Sequence, residues 1–348
     1  MDICLAGGKG HVKTPRVSVI LPVYNGAEFL GESLGSVLRQ TFGDFEVLVI
    51  DDASTDDSAA VAESFGDPRV RLVRHEQNQR LPATLNHGLD LAQGEFVARM
   101  DADDRCVARR FAKQVAFLDA HPEVGICGSA VRLFGGEKSA VRKYPVSPDT
   151  VEAFRFFNCP FSHPSVMLRR RLMEEHRLRY DPSAVAVEDF ELWARLLKFT
   201  KGANLPDPLL DYRLHESSVT SRDWTLMDKN STQVLQSALR EILADVTDEQ
   251  ARFHRQVSMA EIKPDIESLY GAGEWMESIA PALDRGADAR AVLRAVWFRL
   301  AMRVSPETGF AVLKEAFGGR FPRKYGLNPV QRMLIFGSAA KAWARGRR

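Results

Sequence analysis

Two stretches decide the fold: VSVILPV, residues 17–23, and FEVLVID, residues 45–51. Both are rich in β-branched and other apolar side chains, as are strands that are buried on both faces of a sheet. Between them, residues 28–40 place apolar side chains at helical spacing. A strand, a helix and a second strand in this order predict a βαβ unit with two parallel strands.

The alternation continues outward from this unit. RVRLVRH (69–75) and EFVARMD (95–101) predict two more strands, and helical patterns lie over residues 57–65 and 82–92. The repetition predicts an α/β fold with a mostly parallel sheet that helices cover on both faces. Ligands of such open sheets bind beyond the carboxyl ends of the strands.

Three predicted strand ends carry side chains suited to binding: PVYN (22–25), DDAST (51–55) and DADD (101–104). Tyr24 offers an aromatic face to a base, and the carboxylates of Asp51 and Asp52 can accept hydrogen bonds from a base or a ribose. Capping of the next helix would explain Ser54. It does not explain two acids at the end of an apolar strand.

The DADD stretch gathers Asp101, Asp103 and Asp104 within four positions. Ionised carboxylates repel one another and leave water at considerable cost unless they are paired or bind a cation. Two interpretations stay open. The stretch is either a solvated acidic loop or a site for a divalent cation, Mn²⁺ or Mg²⁺, whose coordination is completed by substrate phosphates.

The pattern changes after residue 120. Strands are predicted at VGICGSAVRLF (124–134) and PSVMLRR (164–170), with helices near 148–157 and from EDFELWARLLKF (188–199). From about residue 222 the sequence is mostly helical, which predicts a separate C-terminal helical region over 223–348.

Composition excludes several classes of protein. The net charge is +1, so no overall field selects nucleic acid as a partner. The four cysteines have neither zinc-site nor disulfide-framework spacing: Cys4, Cys106, Cys127 and Cys159. With no signal-peptide pattern and no apolar run long enough to span a bilayer, we expect a cytoplasmic protein with reduced thiols.

The glycine-rich stretch LAGGKGHVKT (5–14) is not interpreted as a phosphate loop. Val12 stands where that motif needs a glycine before Lys13, and the arginine expected in the opening of a sugar nucleotidyltransferase is missing. We predict a flexible N-terminal tail over residues 1–15.

Taken together, the motifs resemble those of glycosyltransferase family 2, whose members have the GT-A fold, a Rossmann-like mixed sheet. The resemblance rests on VSVILPVYNGAEFLGESLGSVLRQTF, FEVLVIDDASTD, NQRLPATLNHGLDLAQGEFVARMDADD, NCPFSHPSVMLRR, VEDFELWARL and YRLHESSVT, in family order. It covers roughly residues 16–222 and implies a nucleotide half near 16–104 and an acceptor half near 105–222. It does not extend over the rest of the chain.

Carried over residue by residue, the resemblance implies a donor site and a metal site. Tyr24 would lie near the base, and Asp52, or failing that Asp51, would hydrogen-bond it. Asp103 is the favoured metal ligand, with Asp101 and Asp104 sharing ribose and supporting roles. The implied nucleotide-binding set is Pro22, Tyr24, Asn25, Asp51, Asp52, Arg80 and Asp101, and the implied metal set is Asp103, Asp104 and His215.

The resemblance also implies the catalytic base, Asp189, which would take the proton of an acceptor hydroxyl. Glu188 and Asp189 also suit the first turn of a helix on electrostatic grounds alone, and the two roles are compatible. His163 would line the acceptor side. Arg80 and Arg213 are candidate pyrophosphate contacts or ordinary surface arginines.

His215 has two interpretations: a metal ligand, as in some family members, or a structural histidine. Residues 320–348 hold eight Lys or Arg and no acid, with Asn328 and Pro329 as a predicted helix start. This tail is either an amphipathic helix on the inner, anionic surface of the membrane or a helix packed on the protein with a solvated basic end.

The resemblance therefore predicts a metal-dependent inverting glycosyltransferase. Its donor would be a nucleotide diphosphate sugar, with UDP or dTDP favoured, and its acceptor a glycan or lipid-linked glycan of cell-surface polysaccharide synthesis. Two alternatives remain: a sugar nucleotidyltransferase and a non-catalytic subunit that binds sugar nucleotides.

Overall fold

The computed structural model describes residues 14–136, 139–215 and 224–345, apart from the side chain of Trp343. The predicted N-terminal tail, with Cys4, therefore lies almost wholly outside the described residues. The same holds for the last residues of the YRLHESSVT stretch and for the end of the basic tail.

Nine strands of the described chain form one sheet. They are β1 (Val17–Val23), β2 (Phe45–Asp51), β3 (Val70–Arg74), β4 (Phe96–Arg99), β5 (Arg105–Cys106), β6 (Val124–Phe134), β7 (Ala140–Arg142), β8 (Met167–Arg169) and β9 (Lys201–Arg213). Their order is β3-β2-β1-β4-β8-β6-β9-β5, and β7 pairs with β6. The first four are mutually parallel, whereas β8 runs antiparallel to both neighbours, so the sheet is mixed.

Helices cover this sheet and then continue alone. The first group is α1 (Ala27–Leu38), α2 (Ser58–Ser64), α3 (Arg80–Leu91), α4 (Arg110–Ala120), α5 (Pro148–Phe154), α6 (Arg170–Glu175) and α7 (Glu188–Leu196). The C-terminal group is α8 (Trp224–Leu239), α9 (Asp248–Met259), α10 (Ile266–Leu283), α11 (Ala287–Thr308), α12 (Val312–Gly318), α13 (Arg320–Tyr325) and α14 (Pro329–Arg345). Short 3₁₀ helices lie at His163–Ser165 and Gly309–Ala311. The predicted mixed α/β fold with a helical C-terminal region is confirmed.

Side-chain alternation along β1 explains why helices lie on both faces. Val19 and Leu21 pack with Leu30 of α1 in one core cluster. Ile20 points the other way and packs in a second cluster with Leu85 of α3. Because the strand is apolar on both sides, each face of the sheet buries its own layer of helices.

The strand β9 was not predicted from the sequence. Its segment, KGANLPDPLLDYR, holds two prolines, which cannot donate a ladder hydrogen bond. It pairs in parallel with β6 through register shifts at Ala130, where the partner is Pro208. Bulges of this kind let a poor strand sequence stay in a sheet.

The C-terminal helices form a core of their own, which includes residues just after α5. Phe156 and Phe157 are buried in the same cluster as residues of α10 and α11. The buried His254 ring binds the Phe156 carbonyl oxygen through Nε2 at 2.6 Å and accepts the Trp275 indole N–H at 2.9 Å. None of the helices in the described chain is long and apolar enough to cross a membrane.

Candidate active site

The three acidic or aromatic strand ends meet at one edge of the sheet because β2, β1 and β4 are adjacent and parallel. The loops after β1 and β2 bind each other: Asn25 Oδ1 accepts the Thr55 N–H at 2.8 Å, and Ser54 Oγ accepts the Asn25 N–H at 3.0 Å. Asn25 and Ala53 both have positive φ, at 51° and 63°. Such strained backbone is concentrated at functional sites.

The two acids after β2 have different surroundings. Asp51 is fully buried; its Oδ1 accepts the Ser54 N–H at 2.9 Å, and its Oδ2 pairs with Arg74 at 3.1 Å. Both oxygens therefore have partners within the protein, and the side chain has no surface open to a ligand. Of the pair Asp51 and Asp52, only Asp52 keeps some exposure, at 4%.

Asp52 is held by the segment that leads into α3. Its Oδ1 accepts the Gln79 N–H at 2.9 Å and contacts His75 Nδ1 at 2.7 Å, while its Oδ2 accepts the Arg80 N–H at 2.9 Å. Each carboxylate oxygen has two acceptor positions. Counting partners among the described residues, one position on Oδ2 is left for a ligand.

The other predicted nucleotide residues lie around Asp52. Tyr24 is 54% exposed and presents its ring to solvent. Pro22 is buried within β1, opposite Ile50 of β2. Arg80 is exposed at the start of α3 with φ at +70°, so its backbone N–H is committed to Asp52 while its side chain faces outward.

The DADD segment forms an acidic cluster after β4. Asp101, Asp103 and Asp104 can each bring one carboxylate oxygen within 4.8 Å of the others. Asp103 Oδ2 lies 2.8 Å from His215 Nε2. Asp104 Oδ1 accepts the Arg213 N–H at 2.8 Å, whereas its buried Oδ2 finds no hydrogen-bond partner in the part of the chain that the structure describes.

The electrostatics of this cluster fit a divalent cation. Burial, and then the charges of Asp101 and Asp103, raise the pKa of Asp104 well above its ordinary value. Burial also raises the pKa of Asp101. Hard oxygen ligands, an added imidazole and an orphaned buried carboxylate oxygen are the donor set that Mn²⁺ or Mg²⁺ would use.

Arg99 is a site residue that the sequence analysis missed. It is buried at the end of β4 and forms an ion pair with Asp101. Burial alone would lower the pKa of Arg99, but the nearby Asp101 charge outweighs this effect and raises it. Burial raises the pKa values of Glu188 and Asp189, and the Arg99 charge counteracts part of this rise. The available signal was a charged residue inside the apolar strand FVAR.

The Glu188–Asp189 pair opens α7 as predicted, after Ala186 with φ at +64°. Asp189 Oδ1 accepts the Phe190 N–H at 2.7 Å, and the Cys159 thiol lies 3.7 Å from Oδ2. Burial raises the pKa of Asp189, and burial together with the Asp189 charge raises the pKa of Glu188 to about 7. These are properties of a carboxyl pair that can exchange protons near neutral pH.

His163 packs against the ring of Trp193, which lies on α7, the helix that the pair opens. Its Nε2 is 3.0 Å from the Tyr180 hydroxyl. Burial, and then the nearby Arg99 charge, lower its pKa well below the ordinary value. The imidazole is therefore neutral at physiological pH.

Arg213 is already engaged by the protein. Its Nε donates to the Asp103 carbonyl oxygen at 2.7 Å, and its guanidinium pairs with Glu32 and lies over the rings of Phe29 and Phe134. The predicted pyrophosphate contact of Arg213 stays a prediction. In the structure the arginine fixes the backbone at Asp103 and, through its own N–H, the Asp104 carboxylate.

The fold defines the class of protein. Over 95% of the chain, the structure resembles residues 1–349 of S. aureus TarS in complex with UDP-GlcNAc, with a TM-score of 0.56, 19% identity and 92% of that chain covered. The mannosyltransferase PcManGT from Pyrobaculum calidifontis, in complex with GDP-Man and Mn²⁺, aligns with a TM-score of 0.52 and 20% identity over 95% of this chain and 88% of that one. The fold is that of the GT-A glycosyltransferases.

Sequence comparison identifies the family. Residues 18–177 match the family model for glycosyl transferase family 2. The putative glycosyltransferase EpsE of Bacillus subtilis is 33% identical over 235 residues, which is 65% of this chain and 83% of that protein. The amylovoran biosynthesis glycosyltransferase AmsE of Erwinia amylovora is 32% identical over 213 residues, 59% of this chain and 79% of that protein. The chain belongs to glycosyltransferase family 2 and is a glycosyltransferase.

Proposed function

We propose that the protein is a metal-dependent, inverting glycosyltransferase. It would move a sugar from a nucleotide diphosphate sugar to an acceptor hydroxyl. The observation that carries the proposal is that Arg99 connects two acidic groups. It forms an ion pair with Asp101 of the oxygen-rich Asp101–Asp104 cluster, and its charge acts on the Glu188–Asp189 pair, whose pKa values are raised.

The donor would lie across the ends of β1, β2 and β4. Tyr24 would stack near the base, and the open acceptor position on Asp52 Oδ2 would receive an N–H of the base. This acceptor favours uracil or thymine, hence UDP or dTDP. The Escherichia coli relative WfgD, 29% identical over 208 residues, is named as a UDP-Glc glucosyltransferase.

Asp103, Asp104 and His215 would hold Mn²⁺ or Mg²⁺, with Asp101 shared between the metal and the ribose. When bound, the cation supplies positive charge against the developing charge of the diphosphate leaving group. Arg213 contributes by orienting Asp104 through its backbone N–H, at 2.8 Å.

Asp189 would act as the general base. A carboxylate whose pKa is raised toward neutrality takes up a proton more readily than an exposed aspartate does. The acceptor hydroxyl would give its proton to Asp189 while its oxygen bonds to the anomeric carbon, and the bond from that carbon to the diphosphate oxygen would break. Attack from the face opposite the leaving group inverts the anomeric configuration.

The binding test is calorimetric titration of the purified protein with UDP, dTDP and GDP, with and without Mn²⁺. We expect metal-dependent binding that is lost in Asp103→Ala and retained in Asp245→Asn, a matched loss of an exposed acid outside the site. Equal binding by Asp103→Ala, or no nucleotide binding at all, would contradict the proposal.

The catalytic test is Asp189→Asn. We expect unchanged donor binding and a loss of about 10²–10⁴-fold in kcat, the usual contribution of a general base. An undiminished kcat would show that Asp189 is not the base. Donor binding without turnover by the wild type would favour a non-catalytic subunit, and pyrophosphate release from a nucleoside triphosphate plus a sugar phosphate would favour a nucleotidyltransferase.

The acceptor proposal is a glycan or lipid-linked glycan. It draws on relatives named for amylovoran biosynthesis and for O-antigen biosynthesis, the latter being WbnJ of Escherichia coli, 30% identical over 212 residues. A lipid-linked acceptor requires the enzyme to work at a membrane surface. The last helix, α14, is the candidate for contact with that membrane.

Helix α14 turns an apolar face outward. Val330, Met333 and Phe336 are 60%, 66% and 52% exposed, whereas Ile335 and Ala339 are buried against the protein. The predicted N-cap is present, since Asn328 Oδ1 accepts the Gln331 N–H at 2.9 Å. The polar side chain of Ser338 lies on the inner side of the helix, where its Oγ accepts the Ser305 hydroxyl of α11 at 2.7 Å.

We propose that this face, with the six Lys or Arg and no acid of residues 320–345, contacts an anionic bilayer. The test is sedimentation with vesicles of phosphatidylglycerol or of phosphatidylcholine alone. Binding only to the anionic vesicles, lost in Met333→Gln/Phe336→Gln, is the expected result. Concentration-dependent dimerisation that these substitutions abolish, without vesicle binding, would assign the face to a second copy instead.

A further inference from the structure

A chain of two histidines leads from the protein surface to Asp52. His75 Nδ1 lies 2.7 Å from Asp52 Oδ1, and His75 Nε2 lies 2.8 Å from His87 Nδ1. The two rings are stacked, with centroids 5.1 Å apart and planes 15° from parallel. The His75 side chain is almost fully buried, at 4% exposure, whereas His87 on α3 is partly exposed.

We propose that His75 and His87 are positioning residues that fix Asp52 for recognition of a base with a protonated ring nitrogen. The inference rests on the proposed donor site, because Asp52 must be the residue that meets the base. It adds to that site a device for choosing among bases.

The proton positions follow from the distances. An ionised carboxylate has no proton, so the short contact at Asp52 requires His75 Nδ1 to donate. The contact between the rings also needs one proton. It comes from His87 Nδ1 if His75 is neutral and from His75 Nε2 if His75 is charged. In either charge state Asp52 receives a hydrogen bond from His75, and His87 saturates the buried far side of that ring.

This arrangement makes Asp52 selective. Oδ1 accepts two hydrogen bonds, from His75 and the Gln79 N–H, and Oδ2 accepts one from the Arg80 N–H. The remaining position on Oδ2 can only accept. Uracil and thymine present N3–H there, whereas cytosine presents the N3 lone pair, which the carboxylate would repel.

Removing the outer histidine should disturb the inner one. His87→Phe keeps an aromatic ring for stacking but leaves Nε2 of the almost fully buried His75 ring without its partner, which is costly. His75 would then turn or shift its proton, and Asp52 would lose a donor. His87→Asn places an amide, able to donate or accept, near the position of Nδ1 and serves as the matched control.

The experiment is calorimetric titration of the full chain with UDP and CDP, for the wild type and both variants, with steady-state kinetics alongside. We expect the wild type to prefer UDP. In His87→Phe we expect UDP binding to be about tenfold weaker, the scale of one lost hydrogen bond, with a reduced UDP-over-CDP ratio, a raised donor KM and little change in kcat. His87→Asn should recover the wild-type values within about twofold.

A second readout follows the proton itself. Imidazole ¹⁵N shifts should show a protonated His75 Nδ1 in the wild type and in His87→Asn, and a changed pattern in His87→Phe. Equal binding of UDP and CDP by the wild type, or an unchanged UDP-over-CDP ratio in His87→Phe, would overturn the inference while leaving the donor site standing. Absence of any UDP binding by the wild type would overturn both.

Discussion

Replacing Asp104 by asparagine tests two properties of the acidic cluster: the stability that is lost to repulsion between its carboxylates, and the affinity for metal that these carboxylates provide. The substitution has nearly the same shape, and the new amide oxygen can still accept the Arg213 N–H that Asp104 Oδ1 accepts at 2.8 Å. The new amide nitrogen would take the place of the buried Oδ2, for which the described residues provide no donor. That nitrogen can donate to the neighbouring carboxylates.

The magnitude comes from the separation of the charges. Carboxylate oxygens within 4.8 Å of one another repel by about 3.5 kcal/mol per pair at an effective dielectric constant of about 20. Partial protonation, which follows from the raised pKa of Asp104, and the attraction of Arg99 reduce this cost. We expect the metal-free variant to be more stable by about 1–2 kcal/mol, a rise of roughly 1–3 °C in Tm.

Thermal denaturation with EDTA or with excess Mn²⁺ measures both effects. Mn²⁺ should raise the Tm of the wild type, by the equivalent of about 2.7 kcal/mol at a hundredfold excess over its Kd, and should raise that of Asp104→Asn far less. Asp245→Asn, an exposed substitution, should leave both values unchanged. A metal-free variant that melts below the wild type, or an equal Mn²⁺ response in the two proteins, would refute this reasoning.

Three further predictions concern the base, the C-terminal core and the sheet. Because burial raises the pKa of the proposed base, Asp189, kcat should fall at low pH with a midpoint above that of an exposed aspartate, and loss of the neighbouring charge in Glu188→Gln should move this midpoint to lower pH; an unmoved midpoint in a pH profile would count against coupling of the pair. Burial lowers the pKa of His254 to about 4, so the free energy of unfolding should be at its full value above about pH 6.5 and should fall by about 3 kcal/mol as the pH is lowered to 4. Urea denaturation of His254→Gln should show a weaker pH dependence. In Gly94→Ala the new Cβ would lie 2.6 Å from the Ser18 backbone nitrogen, and urea denaturation should show a loss of about 1–3 kcal/mol; unchanged stability would mean that the backbone adjusts.

Much of the site was predictable because it depends on local patterns. Apolar strands that alternate with amphipathic helices specify parallel neighbours, and parallel neighbours bring their carboxyl ends to one edge. The predicted strands at 17–23, 45–51 and 124–134 have those bounds in the structure. This pattern was enough to bring PVYN, DDAST and DADD together, because the geometry of a parallel sheet leaves no other arrangement.

Other features depended on partners far away in the chain. The sequence pattern does not show that Asp51 forms an ion pair with Arg74 or that Asp52 is hydrogen-bonded by His75. It also does not show that the Arg213 N–H, 109 positions away, donates to Asp104. Nor did the proline-containing segment of β9 indicate a strand, since pairing with β6 stabilises it.

The sequence by itself thus determined the alternation of strands and helices in the first third of the chain, the ends of the strands at which ligands bind and the chemical types gathered there, since periodicity and residue type are local properties. Only the tertiary structure decided which carboxylate oxygens stay open, that Arg99 pairs with Asp101 and acts electrostatically on Glu188 and Asp189, and that α14 turns apolar side chains outward. The physical reason is that hydrogen-bond saturation and burial depend on packing between segments that are distant in the chain.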